Sequence, residues 1–212
     1  MSDLRRSVHP SHGPYAEGLD RNEANFAPLT PLSFLLRTAA IYPDRIAALH
    51  GRQRRTYREL LERSLRLASA LERRGIRPGD TVAAMLPNIP EMIEAHHGVP
   101  MCGAILNALN TRLDAAALAF ILQHGEAKAL ITDTELAPVM REAVRLAGRP
   151  LLVIDVDDAE GPGGERIGSV DYESLLAEGD LSYQPLLPAD EWQAIALNYT
   201  SGTTGNPKGV VY

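Results

Sequence analysis

The sequence lacks features that several classes of protein require. It has a single cysteine, Cys102, which excludes an internal disulfide framework and fits a reducing compartment. Because Cys102 lies in an apolar stretch, we predict a packing role for it and not a nucleophilic one. Aromatic residues make up 5% of the chain, and 21 Lys and Arg face 27 Asp and Glu. An acidic chain argues against a nucleic-acid partner, and the basic residues Arg52, Arg54, Arg55 and Arg58 are expected to form a solvated turn.

Long apolar runs and metal-binding motifs are missing as well. No stretch reaches the roughly 18 apolar residues of a membrane span, and no apolar signal core is apparent at the N-terminus. We therefore expect a cytoplasmic protein with no membrane span. The six histidines form no HExxH pattern, and Asp155, Asp157 and Asp158 lack calcium-loop spacing. The sequence predicts no metal site, and we expect these aspartates to be solvated in a loop.

Short apolar strands alternate with helices along most of the chain. We predict a helix opening at Tyr57, with Leu61, Leu65, Ala68 and Leu71 as its buried stripe and Gly75 as its left-handed stop. Strands are predicted over 81–86, 104–109, 129–132 and 151–156, helices over 91–102, 114–123 and 135–147, and a loop over 161–165. Strands that are apolar on both faces indicate parallel β/α units, so the fold class is α/β with a layered sheet. The apolar segment 115–122 is expected in the core, although an interface in a homo-oligomer stays open.

The most informative segment is residues 199–211, YTSGTTGNPKGVV. Its glycines can adopt positive φ and bring backbone N–H groups close to an anion, and its hydroxyls and lysine supply further donors to phosphate oxygens. The predicted phosphate-binding residues are Thr200, Ser201, Gly202, Thr203, Thr204, Gly205, Lys208 and Gly209. The segment is not the common P-loop, because Pro207 and Gly209 stand where that motif needs Gly and Ser or Thr. Residues 210–212 favour a strand, so we expect strand, loop, strand, with 194–199 entering.

The loop closely resembles the phosphate-loop signature of the adenylate-forming superfamily, which includes acyl-CoA synthetases. The resemblance extends over 26–212, through the runs YREL at 57–60, GIRPGDTV at 75–82, MLPN at 85–88, LNALNTRL at 106–113 and HGEAK at 124–128. These runs are more similar to acyl-CoA ligases than to peptide-synthetase modules. The expected organisation is a polar arm over 1–25, an α/β subdomain over 26–189, and the start of the next subdomain over 190–212.

The resemblance implies that the complete enzyme activates a carboxylic acid with ATP and Mg²⁺, forms an acyl-adenylate, and transfers the acyl group to coenzyme A. It implies that Ser201, Thr203, Thr204 and Lys208 bind the β- and γ-phosphates. Lys208 would be the catalytic group that stabilises the pyrophosphate leaving group. The other site residues would lie beyond Tyr212, so we expect the isolated chain to be inactive. Two alternatives remain: a carrier-protein thiol as acceptor, or a non-catalytic binding or assembly module if the natural chain ends at Tyr212.

Overall fold

A mostly parallel sheet forms the centre of the computed structural model, which describes residues 17–200 and 207–212. Within these residues seven strands follow the order β7-β6-β5-β3-β4-β8-β9, and only the last pair is antiparallel. The strands are β3 (Thr81–Met85), β4 (Ile105–Ala108), β5 (Ala127–Asp133), β6 (Leu152–Val156), β7 (Val170–Asp171), β8 (Ala196–Tyr199) and β9 (Gly209–Val211). A separate hairpin joins β1 (Ile46–His50) to β2 (Gln53–Thr56). The predicted α/β class is confirmed.

Helices cover both faces of the sheet. They are α1 (Pro31–Ile41), α2 (Tyr57–Arg73), α3 (Pro90–Met101), α4 (Ala115–His124), α5 (Ala137–Ala147) and α6 (Tyr172–Glu178). Helices α1, α2, α3 and α6 share one hydrophobic core with Val82 and Ala84, whereas α4 and α5 share the other with Ala83 and Met85. Alternate residues of a strand point to opposite faces, so β3 needs apolar residues throughout. The result is three layers, with the sheet in the middle.

Local sequence signals fix the bounds of α2. The Thr56 hydroxyl accepts from the Glu59 N–H, and the Glu59 carboxylate accepts from the Thr56 N–H at 2.7 Å, which completes a capping box. Gly75 follows the helix with φ of 93°, as predicted. The buried stripe differs from the prediction, because Leu60 and Leu67 are buried while Leu61 and Leu65 are only partly buried. Of the predicted stripe, Ala68 and Leu71 are fully buried.

The remaining predicted helices and strands lie within a few residues of their expected bounds, and 161–165 contains no helix or strand. Segment 115–122 is core as expected, since Leu118, Ile121 and Leu122 are buried. The sequence reasoning missed α1, the β1–β2 hairpin, β7 and α6. Strand β8 adds to the same sheet beside β4, while the proposed domain boundary at 190 stays a prediction. None of the helices in the described part of the chain has the length and apolar character to span a membrane.

A buried polar cluster joins α2, α3 and α6. Glu94, which is fully buried, accepts from Arg63 Nε at 2.6 Å through one oxygen and from Tyr172 Oη at 2.9 Å through the other. Arg63 also makes two hydrogen bonds to Glu173, at 2.6 and 2.9 Å. Burial raises the pKa of Tyr172 well above its usual range, so its hydroxyl stays a donor. We call Arg63, Glu94 and Tyr172 the buried cluster, to which the exposed Glu173 adds a carboxylate at the surface.

Two expectations about charged residues were wrong. Asp155 is buried in β6, and its carboxylate accepts from the backbone N–H groups of Ile167 and Gly168 at 3.1 and 2.8 Å. Asp158 is also buried and lies 2.7 Å from His50 Nε2, so of the three predicted loop aspartates only Asp157 is exposed. Of the four arginines expected in a solvated turn, Arg52, Arg54 and Arg58 are exposed as predicted, and only Arg55 is half-buried, 3.7 Å from Glu94. In each case a partner far away in the sequence supplies the compensating charge or hydrogen bond.

Candidate phosphate-binding site

The predicted strand, loop, strand arrangement is present at the edge of the sheet. Strand β8 pairs in parallel with β4 and antiparallel with β9, where Tyr199 lies opposite Gly209. The Thr200 N–H donates to the Lys208 carbonyl at 3.0 Å, which closes the base of the loop. No helix follows the loop before Tyr212, so the dipole of a following helix plays no part in this segment.

The structure brings three predicted site residues together and leaves the others undescribed. Thr200, Lys208 and Gly209 meet at the loop base. The predicted residues Ser201, Gly202, Thr203, Thr204 and Gly205 lie outside the described residues. The arrangement at the loop base therefore places two potential phosphate donors, the Thr200 hydroxyl and the Lys208 ammonium, on opposing strands of one hairpin.

Lys208 is exposed at the mouth of the hairpin. Across residues 17–200 and 207–212, no Asp or Glu carboxylate lies within 4.0 Å of its ammonium group. An ammonium without a carboxylate partner can approach the oxygens of an anionic ligand as a mobile point charge. This geometry suits the predicted role of Lys208 at a phosphate.

The structural role of glycine at position 209 differs from the predicted one. It has no positive φ and lies in β9 as an ordinary strand residue, so the expected left-handed conformation is wrong at this position. A Cβ at Gly209 would lie 3.1 Å from Leu197 Cδ1 and 3.4 Å from Tyr199 Cζ. The missing side chain leaves room on this face of the hairpin for the two side chains of β8.

The sequence reasoning missed an aromatic cluster beside the loop base. Tyr199 Oη lies 2.7 Å from His124 Nδ1, and the two rings meet edge to face with centroids 5.8 Å apart. His124 in turn stacks on Phe120, one turn earlier in α4, at 5.3 Å. The sequence signal for this cluster is a tyrosine at the end of a strand before a glycine-rich loop, and that signal does not identify the residue that the tyrosine contacts. We call Phe120, His124 and Tyr199 the aromatic bridge.

One groove borders these features, and a second lies on the opposite face of the sheet. One, of about 280 Å³, opens between the aromatic bridge and the start of β5, with Glu126, Lys128 and Val211 on its border. A larger groove of about 470 Å³ lies between α2 and α6, on the other side of the sheet. Its border carries Arg63 and Glu173, which already pair with each other. The larger groove is therefore a surface of the buried cluster and is not assigned a ligand.

Other candidate groups do not form a site. Burial raises the pKa of the Cys102 thiol to about 11, so it is held as a thiol, and its Sγ–H donates to the Val99 carbonyl at 3.1 Å. This agrees with the predicted packing role. Among the described residues, no group of three or more His, Cys, Asp or Glu side chains is arranged to hold a metal ion.

The fold and the hairpin define an α/β protein with a candidate phosphate-binding loop at the edge of a parallel sheet. The sequence matches the AMP-binding enzyme family over residues 35–212. The chain therefore belongs to the AMP-binding enzyme family, which confirms the resemblance predicted from the sequence.

Relatives and solved structures agree with this assignment. The chain is 46% identical over 207 residues to a peroxisomal acetate/butyrate–CoA ligase of Arabidopsis thaliana and 40% identical over 207 residues to an acetate–CoA ligase of Humulus lupulus, in each case with 92% of the chain covered. It spans 36% of the length of each of these relatives. An anthranilate CoA ligase solved with anthranoyl-AMP has the same fold, with a TM-score of 0.80 at 20% identity, over 91% of this chain and 36% of that one.

Proposed function

We propose that the protein containing this chain is an AMP-forming carboxylic acid:CoA ligase. ATP and the acid would give an acyl-adenylate and pyrophosphate, and the thiol of coenzyme A would then displace AMP to form the thioester. The observation that carries the proposal is the hairpin of an AMP-binding enzyme that places Thr200 and Lys208 at the base of a glycine-rich loop. The names of the relatives, which are CoA ligases, favour coenzyme A over a carrier-protein thiol as acceptor.

In this proposal the loop binds the β- and γ-phosphates of ATP. The Lys208 ammonium would stabilise charge that develops on pyrophosphate as the bond to the α-phosphate breaks. Thr200, Ser201, Thr203 and Thr204 would donate hydroxyl hydrogen bonds, and Gly202 and Gly205 would let backbone N–H groups approach. Gly209 contributes indirectly, through the space that it leaves for Tyr199.

Mg²⁺ belongs to the proposal only as the ion that accompanies ATP, where it would neutralise part of the phosphate charge. The described residues do not fit a resident metal, because no cluster of three ligating side chains is present among them. We assign no step of the reaction to a metal held by these residues.

Short aliphatic acids are the substrates to test first. The relative at 46% identity is named for acetate and butyrate, and one at 39% is named for 2-methylpropanoate. Aromatic acids form the second group, because a relative at 40% identity is named for trans-cinnamate. A panel of these acids in an ATP–pyrophosphate exchange assay on the complete protein would rank the substrates.

Three further properties are part of the proposal. We expect the isolated 212 residues to show no acid-dependent exchange, since the chain spans 36% of its relatives' length. A cytoplasmic location fits the single buried cysteine, whereas five of the relatives are named as peroxisomal, so a fluorescent fusion would decide the compartment. The third property is self-association into a homo-oligomer, which a measurement of the molecular mass in solution would test.

Replacing Lys208 with Ala tests the proposed chemistry. The chain has two lysines, so the matched control is Lys128→Ala, at an exposed position of β5. Loss of one charged hydrogen bond predicts a roughly 10- to 100-fold slower adenylation in Lys208→Ala. Transfer from preformed acyl-adenylate to coenzyme A should change little, and Lys128→Ala should resemble the parent in both half-reactions. Equal slowing of the two half-reactions by Lys208→Ala would contradict the role at pyrophosphate.

A further inference from the structure

We propose that His124 is a positioning residue for Thr200 and Lys208 at the base of the phosphate-binding loop and that it acts through Tyr199. The inference rests on the proposed function, because the loop that it positions is the loop proposed to bind ATP. His124 has no place among the predicted phosphate-binding residues, and it lies 75 positions before Tyr199 in the chain.

The first step of the argument is the connection between α4 and β8. Phe120 and His124 stack with an interplanar angle of 20°, and His124 meets Tyr199 at 81° with a hydrogen bond of 2.7 Å. The stacked contact therefore holds the His124 ring, and His124 orients the phenol ring by one edge contact and one polar contact. Such contacts have preferred geometries, unlike simple aliphatic packing.

The second step is the rigidity of the helix that carries His124. Three side chains of α4, those of Leu118, Ile121 and Leu122, have no more than 1% of their surface exposed and lie in the core beneath the sheet. The Asp114 side chain caps the helix by accepting from the Ala117 N–H at 2.8 Å. An edge hairpin has fewer neighbours than a central strand, so a link to a packed helix restrains it more than the sheet edge alone does.

The third step connects the tyrosine to the loop. Tyr199 directly precedes Thr200, whose N–H donates to the Lys208 carbonyl, and its ring lies over the space left by Gly209. His124 thus borders the ring on one side and the Gly209 backbone borders it on another. A shift of the ring would move the backbone from which both Thr200 and Lys208 project.

The fourth step separates positioning from general stability. His124 is exposed and Tyr199 only partly buried, so removing their hydrogen bond leaves no fully buried polar group without a partner. Burial raises the pKa of Tyr199, which keeps its hydroxyl protonated near neutral pH. The effect of the bridge should appear in ATP binding and hardly at all in unfolding.

The experiment uses the complete natural protein that contains this chain, with His124→Ala, Tyr199→Phe and the double variant. The expected result is a roughly three- to tenfold higher KM for ATP in each single variant, as for the loss of one hydrogen bond, with the KM for coenzyme A unchanged. The double variant should be no worse than the poorer single one, because both remove the same contact. His124→Asn, whose amide can still bond to the phenol, should restore part of the affinity.

His97→Ala is the matched control. His97 is also a helix histidine, but its Nδ1 bonds to the Ile93 carbonyl of its own helix at 2.9 Å. It should leave the KM for ATP unchanged. Additive effects in the double variant, or a loss of melting temperature that parallels the loss of ATP affinity, would overturn the proposal.

Failure of the proposed function would give a different result. If the parent protein shows no acid-dependent exchange with any acid, the ligase assignment fails. ATP binding by calorimetry is then measured on the same variants. An ATP affinity that is equal in parent and His124→Ala would overturn the positioning role as well, whereas a matched loss in His124→Ala and Tyr199→Phe would support it.

Discussion

The buried cluster and the aromatic bridge both join helices to their neighbours through polar side chains, but they differ in burial. Glu94 and Tyr172 have at most 2% of their surface exposed, and every oxygen of Glu94 has a donor. His124 and Tyr199 share a single hydrogen bond at the edge of the sheet, where solvent reaches it. An unpaired buried charge destabilises the fold strongly, whereas a half-exposed pair can adjust its geometry at small cost in stability. The comparison places fully paired polar groups in the core and a partly exposed pair at the edge, where we propose that the phosphate site lies.

Breaking the buried cluster should give the largest change in stability. Glu94→Ala leaves the Arg63 guanidinium with one hydrogen-bonded carboxylate instead of two and removes the acceptor of the buried Tyr172 hydroxyl. Removal of one partner of a buried ion pair typically costs about 3–5 kcal/mol. Urea unfolding followed by circular dichroism would measure the loss.

The matched control for that substitution is Glu142→Ala. Glu142 pairs with Arg145 three residues later at the exposed surface of α5, with a contact of 2.7 Å. Exposed pairs of this kind contribute only about 0–1 kcal/mol. A comparable loss of unfolding free energy in Glu94→Ala and Glu142→Ala would show that burial does not determine how much a charged pair contributes to stability.

A glycine in the same helix layer gives the next largest effect. A Cβ at Gly98 of α3 would lie 2.8 Å from Leu67 Cδ2 and 2.9 Å from the Ser64 carbonyl oxygen of α2. The backbone oxygen cannot rotate away, so Gly98→Ala must push the two helices apart. Overpacking of this type costs about 1–3 kcal/mol, partly offset by the better helix propensity of Ala.

The unfolding midpoint in urea measures the cost of Gly98→Ala. Leu67→Ala in the same background provides the internal control, because it removes the Cδ2 contact while leaving the contacts with the Cβ of residue 67 and with the Ser64 carbonyl, each at 2.9 Å. We expect the double variant to relieve only part of the clash. A midpoint for Gly98→Ala equal to that of the parent would mean that α2 and α3 separate freely.

The alternation of strands and helices was predictable because its signals are local. Glycine at the end of α2 and apolar runs on both faces of β3 follow from neighbouring residues alone. The hairpin around the loop was also predictable, since Pro207 and the β-branched residues after it exclude the usual helix.

The parts that could not be predicted depend on partners far apart in the chain. The sequence around Asp155 does not indicate that the segment around Gly168 packs against its strand. Likewise, the sequence around His124 does not indicate that β8 lies beside α4. The sequence places each residue on an element, but only the sheet order decides which elements meet. Thr200 and Lys208 could be named because the loop joins them in sequence, and Tyr199 was missed as a bridge because its partner is remote.

Replacing Gly209 with Ala should have the smallest effect on stability. It should also separate stability from function most clearly, because the KM for ATP should change while the free energy of unfolding hardly does. Gly209 has no positive φ, so Ala meets no backbone strain, and the nearest atom to a new Cβ is the flexible Leu197 Cδ1 at 3.1 Å. We expect unfolding to change by less than about 0.5 kcal/mol. Leu197 must give way by a few tenths of an ångström, and the new methyl group fills the space beside the Tyr199 ring at 3.4 Å, which should raise the KM for ATP in the complete protein. The control is Asn198→Ala, at an exposed position of β8, which should leave that KM unchanged. If Gly209→Ala instead lowers stability as Gly98→Ala does, the edge of the sheet is packed as tightly as the helix layer, and the distinction between the two regions fails.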